Sequence, residues 1–406
     1  MTDIASPTPV PARRLPLPEF IAMLAFLFAT IAFSIDAMLP ALPDIGAQLT
    51  PDNVNRAQLI LTSFVAGMGL GTLFAGPISD AIGRKLTITL GFALYGVAAL
   101  AAIWAESLEM LLLARFIQGI GAAAPRIVGV ALVRDLYEGR EMARITSFVM
   151  MVFIIVPALA PSAGAGIIAL SDWHGVFVAF ALFAVVGALW LNLRQPETLP
   201  VENRRPLRLV PLWAAAKEVL SNRQVMLATA AMTLGFGQMF ALLSSSQQLF
   251  GETYGRGDSF PFWFAMMALL SGSGTILNVS FVMRFGMRRI ATWAYTMQTV
   301  VSAVMLALLL SGILPPALQF PAFFLWATSV FFMAGVTFGN LNALALQHMG
   351  HIAGMAASVV AAISTLAAVL IAAPVGLLYN GTAIPAVVAT LICSGLAWWI
   401  MRGLRD

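Results

Sequence analysis

Charge is what this 406-residue chain has least of: only 10% of its residues are Asp, Glu, Lys or Arg. Water-soluble domains carry about a quarter, so the chain does not read as a soluble globule. Cysteine is nearly missing. Cys393 alone permits no internal disulfide and fits a membrane that faces a reducing compartment. Histidine is scarce too: His348 and His351 flank one short turn with no further ligand nearby, which argues against a metal site. No G-x-x-x-x-G-K-[ST] phosphate loop and no H-E-x-x-H occur, so neither ATP as a driving force nor zinc hydrolysis finds support. No nucleophile–base pair or paired intramembrane aspartates point to an enzyme, and no cofactor is expected. The net charge of +4 does not mark a nucleic-acid binder, because the placement of the bases matters more than their sum.

What the chain has in abundance is apolar residues, 60% of the total. A bilayer crossing needs roughly 20 of them in a helix, and the runs have that length rather than the roughly 10-residue alternation of a β-barrel. The fold class is therefore all-α and integral to a membrane. Twelve segments are expected near 19–40, 57–79, 86–105, 108–132, 145–170, 174–193, 223–249, 260–283, 289–312, 319–346, 351–379 and 383–402. Residues 1–18 read as a tail and 19–193 as a first six-helix unit. Residues 194–222 read as a linker with four prolines, and 223–406 as a second six-helix unit with a short tail. Within the linker, Leu209, Leu212, Trp213, Ala216 and Leu220 share one helical face, which suggests a helix lying on the membrane surface. Eighteen of the 22 Lys and Arg fall on the side of the chain ends. That asymmetry places both termini in the cytoplasm of a bacterial-type inner membrane, and no cleavable signal precedes the first segment.

Charges inside a bilayer cost roughly 2.5–3.5 kcal/mol each on insertion scales and tend to mark pathways. Asp36, Arg115 and Arg126 are the three. Eleven residues of helix return to within about 20° of the starting direction, so Arg115 and Arg126 share a face with Gln118 and Ala122. Such a face belongs on a polar cavity rather than in lipid. Asp36 then reads as a protonatable group whose charge alternates, tuned by one of the arginines; a permanent Asp–Arg pair tying two helices together is the alternative. The second half has no intramembrane acid. Its polar residues are neutral, with Gln238, Ser245, Gln248, Asn340 and Asn342 as candidate cavity residues. They accompany many methionines and aromatics, which suits amphiphilic organic cargo because methionine surfaces adapt to varied shapes.

The chain turns most sharply at GPISDAIGRK, residues 76–85, between segments 2 and 3. A fainter echo, RFGMRR at 284–289, lies 203 residues later, with Met283 where Asp80 would fall. The two loops suggest a duplicated architecture. In segment 5, Pro157, Pro161 and Gly164 offer either a hinge or ordinary close packing. Gly67, Gly69 and Gly71 have nucleotide-motif spacing but sit inside an apolar helix, so they read as packing.

These residues resemble the major facilitator superfamily, and within it the twelve-helix drug:proton antiporters of the bicyclomycin- and chloramphenicol-resistance type. Residues 76–85 resemble the superfamily's loop signature, with Gly76, Asp80, Gly83, Arg84 and Lys85 in place. LARFIQGIG at 113–121 is similar to the helix 4 signature, whose arginine corresponds to Arg115. SIDAMLPALP at 34–43 is similar to the helix 1 signature, whose acid corresponds to Asp36. Residues 157–166 resemble the helix 5 antiporter signature loosely. The basic residue usual after the loop aspartate is Ala81 here. The resemblance implies two six-helix bundles related by a pseudo-two-fold and rocking about a central site. It implies proton-driven export of small organic compounds, drugs or an endogenous metabolite, with Asp36 and Arg115 coupling the proton. A monomer is expected, with the small-molecule substrate, protons and the lipid bilayer as its partners. A non-transporting receptor on the same fold would carry added soluble domains. Arg134 and Asp135 are the expected relay partners of Asp80 and Arg84. Asp80 is expected to meet the start of segment 11, near His351, when the halves close on the cytoplasmic side. Asp80→Asn should then increase accessibility from that side.

Overall fold

The computed structural model describes residues 15–207, 209–347 and 349–404; the expected tail through residue 14, His348, Arg208 and Arg405 lie outside the described residues. Among the described residues all regular structure is helical. The first half comprises α1 (Leu17–Asp36), α2 (Leu42–Leu49), α3 (Leu59–Ile82), α4 (Arg84–Ile103), α5 (Leu108–Leu136), α6 (Gly139–Leu170) and α7 (Trp173–Arg194). A short helix, α8 (Leu209–Ser221), precedes the second half. That half comprises α9 (Arg223–Gln248), α10 (Phe260–Phe285), α11 (Met287–Ser311), α12 (Pro316–Leu346), α13 (Ala353–Leu377) and α14 (Ile384–Met401). Eleven helical stretches are long and apolar enough to cross a membrane, α1 and α2 counting together as Leu17–Leu49. The 32-residue α6, whose apolar stretch Ile155–Leu170 is shorter, has the length of a further crossing.

Local chemistry sets the starts. Ser107, Asp172 and Asn222 accept hydrogen bonds from the first amides of α5, α7 and α9, and prolines open α10, α12 and α14. The first segment divides where Pro40 and Pro43 withhold their amide hydrogens. There α1 ends at Asp36, and the chain continues through a 3-10 turn into α2. Asp36 is thus followed by further helix up to Leu49 rather than by the membrane edge.

The two halves pack alike. The α3–α5, α4–α5, α4–α7 and α1–α6 contacts of the first half recur as α10–α12, α11–α12, α11–α14 and α9–α13 in the second. Between the halves, α3 lies on α13 and α6 on α10, two contacts that the same pseudo-two-fold exchanges. This is the architecture of two pseudo-symmetric six-helix bundles. The duplicated loops share a backbone: Gly83 has φ 104° and ψ 159°, and Gly286 has φ 82° and ψ 153°. A side chain disfavours that conformation, so glycine closes one helix and opens the next at both places.

α8 buries Ala215 and Val219 against α13 and α9. Trp213, on the face that spacing had marked as apolar, is 72% exposed.

Candidate functional site

Asp36, the last residue of α1, is only 5% exposed, and its carboxyl makes no hydrogen bond or ion pair with any described residue. Arg115 does not reach it. The Arg115 guanidinium is fully buried and donates to the Ser34 carbonyl at 2.9 Å and to Gln118 Oε1 at 2.6 Å. It also lies 4.4 Å from the centroid of the Phe64 ring and 5.7 Å from that of Phe180. The Ser34 and Tyr95 hydroxyls are 2.5 Å apart, so α1, α3, α4, α5 and α7 all meet around one guanidinium. Arg115 Nε and Gln118 Nε2 are buried without a partner. Sequence reasoning found Arg115 and Gln118 but missed Ser34, Tyr95, Phe64 and Phe180. Ser34 lies in the same short motif as Asp36 and was the available clue; the aromatic rings come from other helices and left no local signal.

Two close approaches fix α1. Gly164 of α6 lies against the backbone of Ala37: a Cβ on Gly164 would be 2.1 Å from the Ala37 carbonyl oxygen. Pro157 and Pro161 fall within the same continuous α6. The proposed hinge residues thus include one that touches the neighbour of Asp36. Gly129 of α5 abuts Phe28 and Leu24 in the middle of α1.

Arg126 behaves differently from Arg115. It is half-buried, and it makes no hydrogen bond, ion pair or ring contact among the described residues.

The second-half candidates do not converge. Gln238 is fully buried and accepts a hydrogen bond from Ser394 at 2.8 Å, which ties α9 to α14. Asn340 donates to Asn278 at 2.7 Å and to the Val336 carbonyl, tying α12 to α10. Asn342 is exposed. Ser245 and Gln248 lie at the face away from the chain ends, where they bind the first half: Ser245 donates to Gln58 Oε1 at 2.8 Å, and Gln58 donates to Gln248. Gln248 donates on to Asn55 at 3.0 Å, and Asn55 to the Tyr379 carbonyl at 2.7 Å. This neutral amide chain closes that face between the halves. Gln58 and Asn55 were not foreseen.

At the other face, the loop residues do come together. Arg84 Nη1 reaches Asp80 at 2.5 Å and Ser79 Oγ at 2.7 Å, and Arg84 Nε reaches Asp135 at 3.0 Å. The segment after α7 completes the cluster. Glu197 accepts from the Arg84 amide at 2.9 Å and the Lys85 amide at 3.1 Å, capping α4, while Thr198 donates to Asp135 at 2.8 Å. The Arg205 amide donates to the Asp80 carbonyl, and Lys85 Nζ to the Asn192 carbonyl. Arg134 points to solvent. Gly76 faces Ser358 of α13. In this form, closed at the opposite face, the carboxylate at a helix start is Glu197 on α4, and His351 pairs with Glu218 of α8 at 2.8 Å.

The family profile described as the Major Facilitator Superfamily matches residues 22–401. A bicyclomycin resistance protein homolog of Haemophilus influenzae is 30% identical over 400 residues, covering 95% of this chain and 97% of that one. The multidrug resistance protein MdtL of Salmonella heidelberg is 33% identical over 251 residues, 61% of each chain. Among solved structures, a partially occluded inward-open form of the xylose transporter XylE from E. coli superimposes with a TM-score of 0.74 at 12% identity, over 96% of this chain and 98% of that one. The likeness in sequence runs nearly the length of the chain, and the likeness in structure carries the same fold. This chain belongs to the major facilitator superfamily.

Proposed function

We propose that this protein exports small amphiphilic organic compounds, drugs among them, in exchange for protons by alternating access between its two bundles. Relatives named for bicyclomycin and multidrug resistance support the export of drugs. The observation that carries the coupling is Asp36: a carboxyl buried at the break between α1 and α2, without a counter-cation, against the Ala37–Gly164 contact. An unpaired buried charge is costly, and a proton on the carboxyl removes it. Movement of α1 against α6 changes the surroundings of that carboxyl. Arg115, held on the Ser34 carbonyl two residues earlier, positions the same stretch of α1.

The charge asymmetry supports a cytoplasmic location for both chain ends. In that orientation the Gln58–Gln248 closure faces outward, and the half-buried Arg126 is reached from the cytoplasm. Residues 19–193 and 223–406 are the moving units in this reading, residues 194–222 join them, and one copy suffices for a complete cycle. The Asp80–Arg84–Asp135 cluster, with Glu197 on α4, acts as the cytoplasmic latch.

Asp36→Asn in everted vesicles tests the reading, with proton and cargo fluxes followed together. The variant should insert normally yet lose proton-driven accumulation. Retained accumulation against a gradient would show that Asp36 does not couple the proton.

A further inference from the structure

We infer that Arg126 recognises a negatively charged group on the cargo, so that the preferred substrates are amphiphilic anions: carboxylates, sulfonates or phosphate esters. The inference rests on the export reading above and names its substrate class. Its basis is the contrast along one face of α5. Arg115 and Arg126 point within about 20° of each other and lie about 16 Å apart along the helix, yet their surroundings differ. Arg115 is sealed, with a carbonyl, a side-chain amide oxygen and two aromatic rings around it. Arg126 is only partly buried in the interior of a membrane-crossing helix, with no protein partner among the described residues.

Its direction can be fixed from its neighbours. Three residues before it, Ala123 packs on Gly71 of α3; three residues after it, Gly129 packs on Phe28 and Leu24 of α1. Three residues of helix turn through about 300°, so those two contacts lie about 60° to either side of Arg126. The side chain therefore points between α1 and α3, and α3 is the helix that meets the second half through α13. That direction leads into the space between the bundles rather than to lipid. Because the Gln58–Gln248 chain closes the far face, solvent reaches Arg126 from the face of the chain ends, the side from which cargo enters.

No acid competes for it. Asp36 lies about 12 Å along α1 beyond Phe28 and about 18 Å beyond Leu24, and the second half contributes no acidic residue between Asp258 and Asp406. A guanidinium binds carboxylate, sulfonate or phosphate through parallel charge-assisted hydrogen bonds. The Met and Phe side chains of the second half suit the apolar body of such a compound.

Two naphthyl amines of one scaffold test this: 8-anilino-1-naphthalenesulfonate, an anion, and N-phenyl-1-naphthylamine, which lacks the sulfonate. Binding to the full chain in nanodiscs and proton-driven export from proteoliposomes are measured for both. The unsubstituted protein should bind the anion more tightly. Arg126→Gln should weaken anion binding by about tenfold more than it weakens the neutral amine, and Arg126→Lys should restore most of the difference, as loss and return of one charged contact would. Equal affinity for the two probes, an absence of saturable anion binding, or an equal loss of both in Arg126→Gln would overturn the assignment. Charge-selective binding without proton-driven export of either probe would instead refute the export reading and leave the assignment of Arg126 standing.

Discussion

The loops at Gly83 and Gly286 make the same turn with different surroundings. The glycines hold φ of 104° and 82° with ψ of 159° and 153°, and both close one membrane helix and open the next. Around Gly83 stand Asp80, Arg84, Asp135 and the capping Glu197. Around Gly286 there is open space: no atom lies within 4 Å of where its Cβ would be. Met283 replaces Asp80 and is 92% exposed, and Met287 replaces Arg84. The duplicated backbone is thus a folding solution kept in both halves, whereas the charge cluster is an addition to one. The first-half loop is tied to the segment that joins the halves; the second-half loop is left to move with its own bundle.

The largest expected effect separates backbone from surroundings. Either glycine replaced by alanine strains a region of φ/ψ that is essentially glycine-only, at about 1–3 kcal/mol. At Gly83 the new Cβ would also lie 2.5 Å from Glu197 Oε2, on a carboxylate that accepts from three backbone amides through Oε1 and from the Lys85 amide through Oε2. Gly83→Ala should therefore lower the thermal unfolding midpoint of the purified protein clearly more than Gly286→Ala. Equal losses would mean that the Glu197 cap contributes nothing.

Next in size is the arginine. Arg84→Gln leaves Asp80 and Asp135 facing each other without their shared cation and should cost about 1–3 kcal/mol. Met287→Gln, at the matching position, should be within about 0.5 kcal/mol of the parent. Paired denaturation of the two variants checks the ordering. The smallest effect comes from building the missing pair: Met283→Asp with Met287→Arg creates an i,i+4 ion pair worth about 0.3–0.5 kcal/mol. The gain should vanish in high salt; a gain that survives high salt would point to packing instead.

The turn itself was legible in the sequence because it is local: a glycine between apolar runs, repeated at a spacing of 203 residues. The twelve crossings were legible for the same reason, since apolar length decides them. Partner choice was not. Glu197 lies 113 residues from Arg84 in the chain, and in the sequence it was one charge among several prolines. Helical spacing put Arg115 on a face expected to line a polar cavity, but it cannot say whether the guanidinium meets the Asp36 carboxyl or, as found, the Ser34 carbonyl in a sealed site. Gln248 looked like a cavity residue until its partner, 190 residues away in the other half, placed it in the outer closure. Each miss involves a contact between helices, where tertiary packing rather than local pattern chooses the neighbour.

The unpaired guanidinium of Arg126 also bears on energy supply. A neutral cargo exchanged for one proton moves one charge inward per cycle. A monoanion leaving as a proton enters moves the equivalent of two. With the interior of the cell negative, both movements run downhill electrically, and a membrane potential of 100 mV supplies about 4.6 kcal/mol per cycle, roughly 2.3 for each charge. An exporter that selects anions through Arg126 would thus keep working when the pH gradient collapses, drawing on voltage alone.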